Sequence, residues 1–225
     1  MFTNNIYYSD EPVLDASFLN DLIEKFECDR DKHPGVTGSG YGGEEGSSSE
    51  SKINTPIKVS TDLHISSNPK YYHEHKYITR ITYEQLEVYN QLLQERNQNL
   101  VYPFVRDNAR MTGYNIQRTD PGGYFHWHSD DRYMTGRGNM TGYYRGVSYI
   151  YYMNTINDQN NGYTEFYDGT IIQPKQGHIL LFPATWTYVH RGVPPINQTK
   201  YIMTGWWMIN EGVGIQRSDW EDATK

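Results

Sequence analysis

A single cysteine, Cys28, stands in a chain of 225 residues, so neither an internal disulfide nor a cysteine-based zinc cluster can form. No apolar run approaches the ~20 residues that a membrane-spanning helix needs. The opening MFTNNIYYSDEP has neither the basic start nor the apolar stretch of a secretory signal. Together these absences predict a soluble chain in a reducing compartment, with the cytoplasm as the expected location. Positive charge is scarce too: 20 Lys and Arg against 27 Asp and Glu leave a net charge of −7. That removes any general attraction for phosphate backbones or anionic lipid, so neither nucleic acid nor membrane is an expected partner. Alanine and leucine are sparse, whereas aromatics reach 15% with 21 tyrosines, a balance that favours strands over helix bundles.

The length fits one domain over 1–225, with a support in front of a core. After an opening strand-like stretch, Asp15 is placed to cap a helix through SFLNDLIEKFE, where Phe18, Leu19, Leu22, Ile23 and Phe26 recur at helical spacing. A second helix is expected from Thr82 to Gln98, because TYEQ reads as a capping box and Leu86, Tyr89, Leu92 and Leu93 form an apolar stripe. Residues 1–100 are thus read as helical support. Within them GVTGSGYGGEEGSSSES, over 35–51, has the composition of a flexible loop, with a lid as its alternative. From Gly113 onward the pattern becomes GYNIQRT, GYFHWHSD, RGVSYIYYMN, YTEFYDG, TIIQP, HILLFP, TYVHRGV and KYIMTGWWMI. Eight short β-rich runs predict a sandwich or jelly roll, a mainly β fold with supporting α-helices and a core over 101–212.

Alternate residues of a strand share a face, so His128 and Asp130 can both point inward while Trp127 and Ser129 point away. His126, on the same parity, and Asp131, one residue out of phase, compete with them. A third ligand must return from a distant strand, and His190 in TYVHRGVPP fits. Its rival, His178 in KQGHILLFP, reads as the wet end of an apolar strand. Two imidazoles and a carboxylate can hold a ferrous ion on one face and leave its other positions open. The plain alternative is a surface histidine beside a turn. Lys200 heads the row Lys200, Ile202, Thr204 and Trp206, opposite Tyr201, Met203, Gly205 and Trp207. A lysine on an inward apolar row needs a partner, which a bound dicarboxylate would supply; otherwise it is an exposed lysine at the turn NQTK. Tyr152 in RGVSYIYYMN can offer its phenol to the same carboxylate.

From about Tyr114 to Trp207 these pieces stand in an order that resembles the Fe(II)- and 2-oxoglutarate-dependent oxygenases, and among them the prolyl 4-hydroxylase-like group. PGGYFHWHSD matches that group's approach to its HxD motif, and RGVSYIYYMN its following strand from an arginine to an asparagine. NGYTEFYDG, IIQPKQGHILLFPA, HRGVPP and KYIMTGWW continue the match. The resemblance implies His128, Asp130 and His190 as iron ligands and Lys200 as the anchor of the distal carboxylate of 2-oxoglutarate. Tyr152 and Thr204 would sit beside that carboxylate, and Arg145 near the substrate entrance. Fe(II), 2-oxoglutarate and dioxygen are the implied cofactor and co-substrates, and ascorbate recycles oxidised iron in the resembling group. The implied fold is a double-stranded β-helix, cupin-like, buttressed by N-terminal helices.

The implied activity is hydroxylation of proline in a protein or peptide, coupled to decarboxylation of 2-oxoglutarate to succinate and CO2. Competing readings keep the oxygenase but give it a small molecule or nucleobase, or make the chain a jelly-roll binding module without turnover. One departure stands out: Thr119 occupies the place, nine residues before the first iron-binding histidine, where the family often has a tyrosine. The stretch 132–144, rich in glycine, tyrosine and arginine, reads as a lid over an extended peptide or as an exposed hairpin loop.

Overall fold

The computed structural model describes residues 1–37, 53–96, 109–132 and 143–210. Most of the glycine- and serine-rich stretch over 35–51 and of the segment 132–144 lies outside them, as do 211–212 and the last two residues of the expected second helix. Helix α1, Ala16–Cys28, follows its apolar stripe: Leu19, Leu22 and Phe26 are buried, with Phe18 and Ile23 packed at the margin. Asp15 occupies the N-cap position, but its side chain makes no capping bond.

Helix α2 is Tyr72–Arg96, so it begins well before Thr82. Thr82 lies buried in its interior, where its one hydroxyl hydrogen goes to the Ile78 carbonyl (2.9 Å), leaving the oxygen to accept from the phenols of Tyr114 (2.8 Å) and Tyr151 (2.7 Å). The capping pattern misled because Ile78 and Ile81 carry the buried stripe upstream. The helix is entered through a 3-10 turn, Pro69–Tyr71, whose cap is Asn68 accepting from the Lys70 N–H at 3.0 Å.

The strands are β1 (Phe2–Thr3), β2 (Ile6–Tyr8), β3 (His33–Pro34), β4 (Thr61–His64), β5 (Ala109–Met111), β6 (Asn115–Thr119), β7 (Phe125–His128), β8 (Tyr143–Tyr152), β9 (Thr164–Phe166), β10 (Ile171–Ile172), β11 (Ile179–Pro183), β12 (His190–Gly192) and β13 (Lys200–Asn210). Each of the eight β-rich runs contains one. Among the described residues they form a nine-stranded sheet, ordered β1-β2-β11-β8-β13-β6-β4-β3 with β5 on β13, and a four-stranded sheet, β10-β9-β12-β7. The result is a mixed α/β fold with two sheets. The N-terminal part is more than helical support, since β1 and β2 extend one edge of the large sheet through β11, and β3 and β4 the other through β6.

Strand alternation divides the interior in two. Val147, Tyr149, Tyr151, Met203 and Trp207 join α1 and α2 in one core, while Ile150, Tyr152, Leu180 and Phe182 meet Phe166 and Ile172 of the small sheet in another. Gly205 shows how tightly β13 is held: a Cβ there would fall 2.1 Å from the Gly113 carbonyl oxygen and 2.3 Å from Tyr149 Oη. No described helix is long and apolar enough to cross a membrane.

Candidate active site

The two sheets enclose a cavity of about 940 Å3. His128, at the end of β7, and His190, at the start of β12, are brought side by side because β7 and β12 pair with those two residues in register. Asp130 follows two residues after His128, beyond the end of the strand, so alternation within a strand does not place it. The turn does, and Ser148 on β8 holds it by donating to Oδ2 at 2.7 Å. One ligand atom from each of His128, Asp130 and His190 lies within 4.8 Å of the others, and this is the metal-ligating cluster found among the described residues. Asp130 is 3.9 Å from Nε2 of each imidazole.

Both imidazoles have their tautomer set by the chain. His128 Nδ1 lies 2.8 Å from the His126 carbonyl and His190 Nδ1 lies 3.0 Å from the Tyr188 carbonyl. A carbonyl only accepts, so each Nδ1 carries its hydrogen, and in the neutral ring it is Nε2 whose lone pair faces the cluster. Burial, reinforced by the neighbouring His190, holds the His128 imidazole down to about 4, favouring the neutral form a metal requires. Burial alone would push the Asp130 carboxyl up, but facing His190, His128 and Arg145, with the Ser148 hydroxyl, bring it down to about 2. Two imidazoles and one carboxylate on one side of a point fit a ferrous ion with open positions.

Lys200, at the start of β13, lines the same cavity. Its side chain is 4% exposed and burial alone holds its ammonium down to about 7; no ion pair among the described residues involves it. Thr164, Gln117, Thr119, Ile202 and Thr204 line the cavity as well. Thr119, where a tyrosine was expected by resemblance, is the register partner of Lys200. Tyr152 sits differently from the sequence expectation: it is fully buried outside the cavity lining, its ring 5.9 Å from the Lys200 ammonium, and its hydroxyl donates to Thr164 at 2.8 Å. Thr164 is therefore the hydroxyl that reaches the cavity. Nothing distinguished it in YTEFYDG beyond its parity, nor Ser148 in RGVSYIYY.

Arg145 lines the cavity near Asp130, donating to its carbonyl oxygen at 3.2 Å, with its guanidinium 3.5 Å from the Trp206 ring centroid. Burial holds it down to about 10. The competing candidates are outside the cluster, although Asp131 lines the cavity. His178 is buried against Ser9 and stacked on Tyr8, the His126 side chain is exposed against Tyr124, and Asp131 is exposed.

The geometry agrees with three likenesses to known structures, each covering most of both chains. A viral collagen prolyl hydroxylase from Paramecium bursaria Chlorella virus-1 has TM-score 0.60 and 16% identity, over 92% of this chain and 97% of that one. A prolyl-4-hydroxylase of Pseudomonas putida gives 0.55 and 18%, over 91% and 93%. A Trichoplax adhaerens prolyl hydroxylase, solved with a hypoxia inducible factor peptide fragment, gives 0.63 and 16%, over 95% and 89%. At such identities they speak for the fold. No curated protein sequence matches the chain. The family model of the 2OG-Fe(II) oxygenase superfamily matches residues 114–208, the stretch that holds all three members of the cluster and Lys200. With the motif order, the paired sheets and the His-Asp-His cluster in agreement, residues 114–208 are the part of the chain that matches the 2OG-Fe(II) oxygenase superfamily.

Proposed function

We propose that the protein is a prolyl hydroxylase of this superfamily, acting on proline in a protein or peptide. We further infer that its two sheets are the walls of a double-stranded β-helix, or jelly roll, with 101–212 as the core of a single domain. The observation that carries the reading is the buried Lys200 ammonium, with no carboxylate partner among the described residues, in the cavity that also holds the His-Asp-His cluster. Such a charge is costly unless a ligand completes it, and a dicarboxylate is the complement.

In this reading His128, Asp130 and His190 hold Fe(II) through two Nε2 atoms and a carboxylate. Lys200 pairs with the distal carboxylate of 2-oxoglutarate, while Thr164 and Thr204 offer hydroxyls beside it. Tyr152 acts from behind, orienting Thr164 and lending its ring to the Lys200 ammonium. When bound, iron supplies the redox chemistry that couples decarboxylation of 2-oxoglutarate and reduction of dioxygen to hydroxylation of a carbon–hydrogen bond. The protein contributes orientation and exclusion of water. The Ser148 hydroxyl and the Arg145 guanidinium fix Asp130 at its side chain and main chain.

A cavity of about 940 Å3 is near the upper end of small-ligand sites, so 2-oxoglutarate leaves room for a substrate side chain beside Arg145 and Trp206. The structurally similar prolyl hydroxylases favour proline for that place. Purified full chain supplied with Fe(II), 2-oxoglutarate and proline-rich peptides is expected to add one oxygen to proline and to form matching succinate. Oxidation of a metabolite or nucleobase, with peptides untouched, would reassign the substrate. Absence of succinate with every substrate would leave a binding module.

A further inference from the structure

The segment 57–64, which precedes the family-matched residues, reaches the first histidine from an unexpected direction. The backbone of Ile57 and Val59 flanks β7, with Val59 N–H donating to the Tyr124 carbonyl (2.8 Å) and His126 N–H to the Ile57 carbonyl (2.9 Å). Lys58 between them faces Phe125 as an isolated bridge partner. A few residues later the chain joins the large sheet as β4 and presents Asp62 from there. Lys58 and Asp62 pair at 2.7 Å, with side chains only 4% and 2% exposed. Asp62 also accepts from Ser60 (2.7 Å) and from Asn115 on β6 (3.1 Å). Gly35 covers the pair so closely that a Cβ there would lie 2.1 Å from Ser60 Oγ and 3.0 Å from Lys58 Cε. The pair thus bridges the small sheet and the large one along one side of the cavity.

It also leads to the cluster. The Lys58 ammonium lies 5.2 Å from the Phe125 ring centroid, and Phe125 lies flat on His128, centroids 3.6 Å apart and planes 13° apart. The Nδ1 bond holds one edge of the His128 ring, and Phe125 covers its face. We propose that the Lys58–Asp62 pair is a positioning element of the metal centre, which keeps Phe125 pressed on His128 and so sets the plane in which Nε2 meets the ion. A buried ion pair is poor evidence for stability, since apolar residues of similar volume often replace one at no loss. Its place beside a ligand ring gives it another use, of the kind that partners of ligating histidines serve. The proposal rests on His128 being a metal ligand.

The test titrates Co(II) alone into the full chain and reads affinity and ligand-field absorption, with thermal melting as the check on folding. Wild type is expected to bind one Co(II). The double variant Lys58→Met/Asp62→Leu is expected to melt cooperatively near wild type, yet to bind Co(II) at least tenfold more weakly, as fits partners of ligating residues, with an altered band. Phe125→Leu, which leaves the pair in place, is expected to show the same weakening and decides the matter if the double variant does not fold. Unchanged affinity and spectrum in the folded variants would overturn the positioning role while leaving His128 as a ligand. Failure of wild type to bind Co(II) would overturn both.

Discussion

The two sheets that face each other across the cavity are unequal. The large one has strands of up to 11 residues, is backed by α1 and α2, and buries residues on both faces. The small one has strands of two to four residues and turns Trp127, Tyr167 and Ile171 toward solvent. Yet the small sheet bears both imidazoles, while the large one bears Lys200, Thr204 and the Ser148 that steadies Asp130. The two imidazoles thus stand on the lightly built wall, with Thr164 beside them in the same sheet, and Lys200, Thr204 and Ser148 on the heavily packed one. This division teaches that folding and metal geometry are separable here: one wall holds the fold, and the other depends on its neighbours for its aim.

The sharpest way to break the comparison is His128→Ala or His190→Ala. Each is expected to lower succinate formation by more than about 100-fold, beyond what loss of a supporting partner causes, while the metal-free melting temperature barely moves; a collapse of the fold would show that the small wall is structural after all. Lys200→Met on the large wall is expected to weaken 2-oxoglutarate binding by about 2–5 kcal/mol, the scale of a lost buried charge pair. Because it also removes a buried ammonium, it should raise the melting temperature of the unliganded protein, which scanning calorimetry and titration calorimetry together check.

Ser148→Ala is expected to reduce metal affinity by about 10- to 100-fold, measured by Co(II) titration, without altering the fold. The smallest effect is that of pH. The Lys200 ammonium is depressed from 10.5 to about 7, so it is charged below pH 7 and progressively neutral above it in the free protein. Binding a dianion then requires proton uptake, and the apparent affinity for 2-oxoglutarate should fall as pH rises above about 7, by at most roughly tenfold per unit. The unliganded fold should change in the opposite sense. The cost of the buried charge is present in full below pH 7 and is relieved between about 7 and the unfolded value of 10.5. Calorimetry at pH 8 in buffers of different ionisation enthalpy measures the uptake.

Much of this was legible in the residues. The eight β-rich runs are strands because their alternation is strong and Gly, Pro and Asn separate them, and the parity of β13 correctly aimed Lys200, Ile202, Thr204 and Trp206 at the cavity. His128, Asp130 and His190 were singled out and are brought together. What stayed hidden has local causes. Thr82 sits in a sequence that imitates a cap, and only tertiary hydroxyl partners reveal it as a buried helix-interior residue. Tyr152 has the right parity but a phenol already bonded to Thr164. Lys58 and Asp62 lie in short segments without periodicity, and their pairing depends on a fold-level meeting of two sheets.

The most direct test of the central claim is an anaerobic titration of the full chain with Fe(II) and then 2-oxoglutarate, followed by visible absorption. One Fe(II) per chain and a new band that appears only with 2-oxoglutarate, absent in His128→Ala and displaced to much higher 2-oxoglutarate concentration in Lys200→Met, is the expected result. No stoichiometric iron binding, or 2-oxoglutarate binding indifferent to both substitutions, would contradict it.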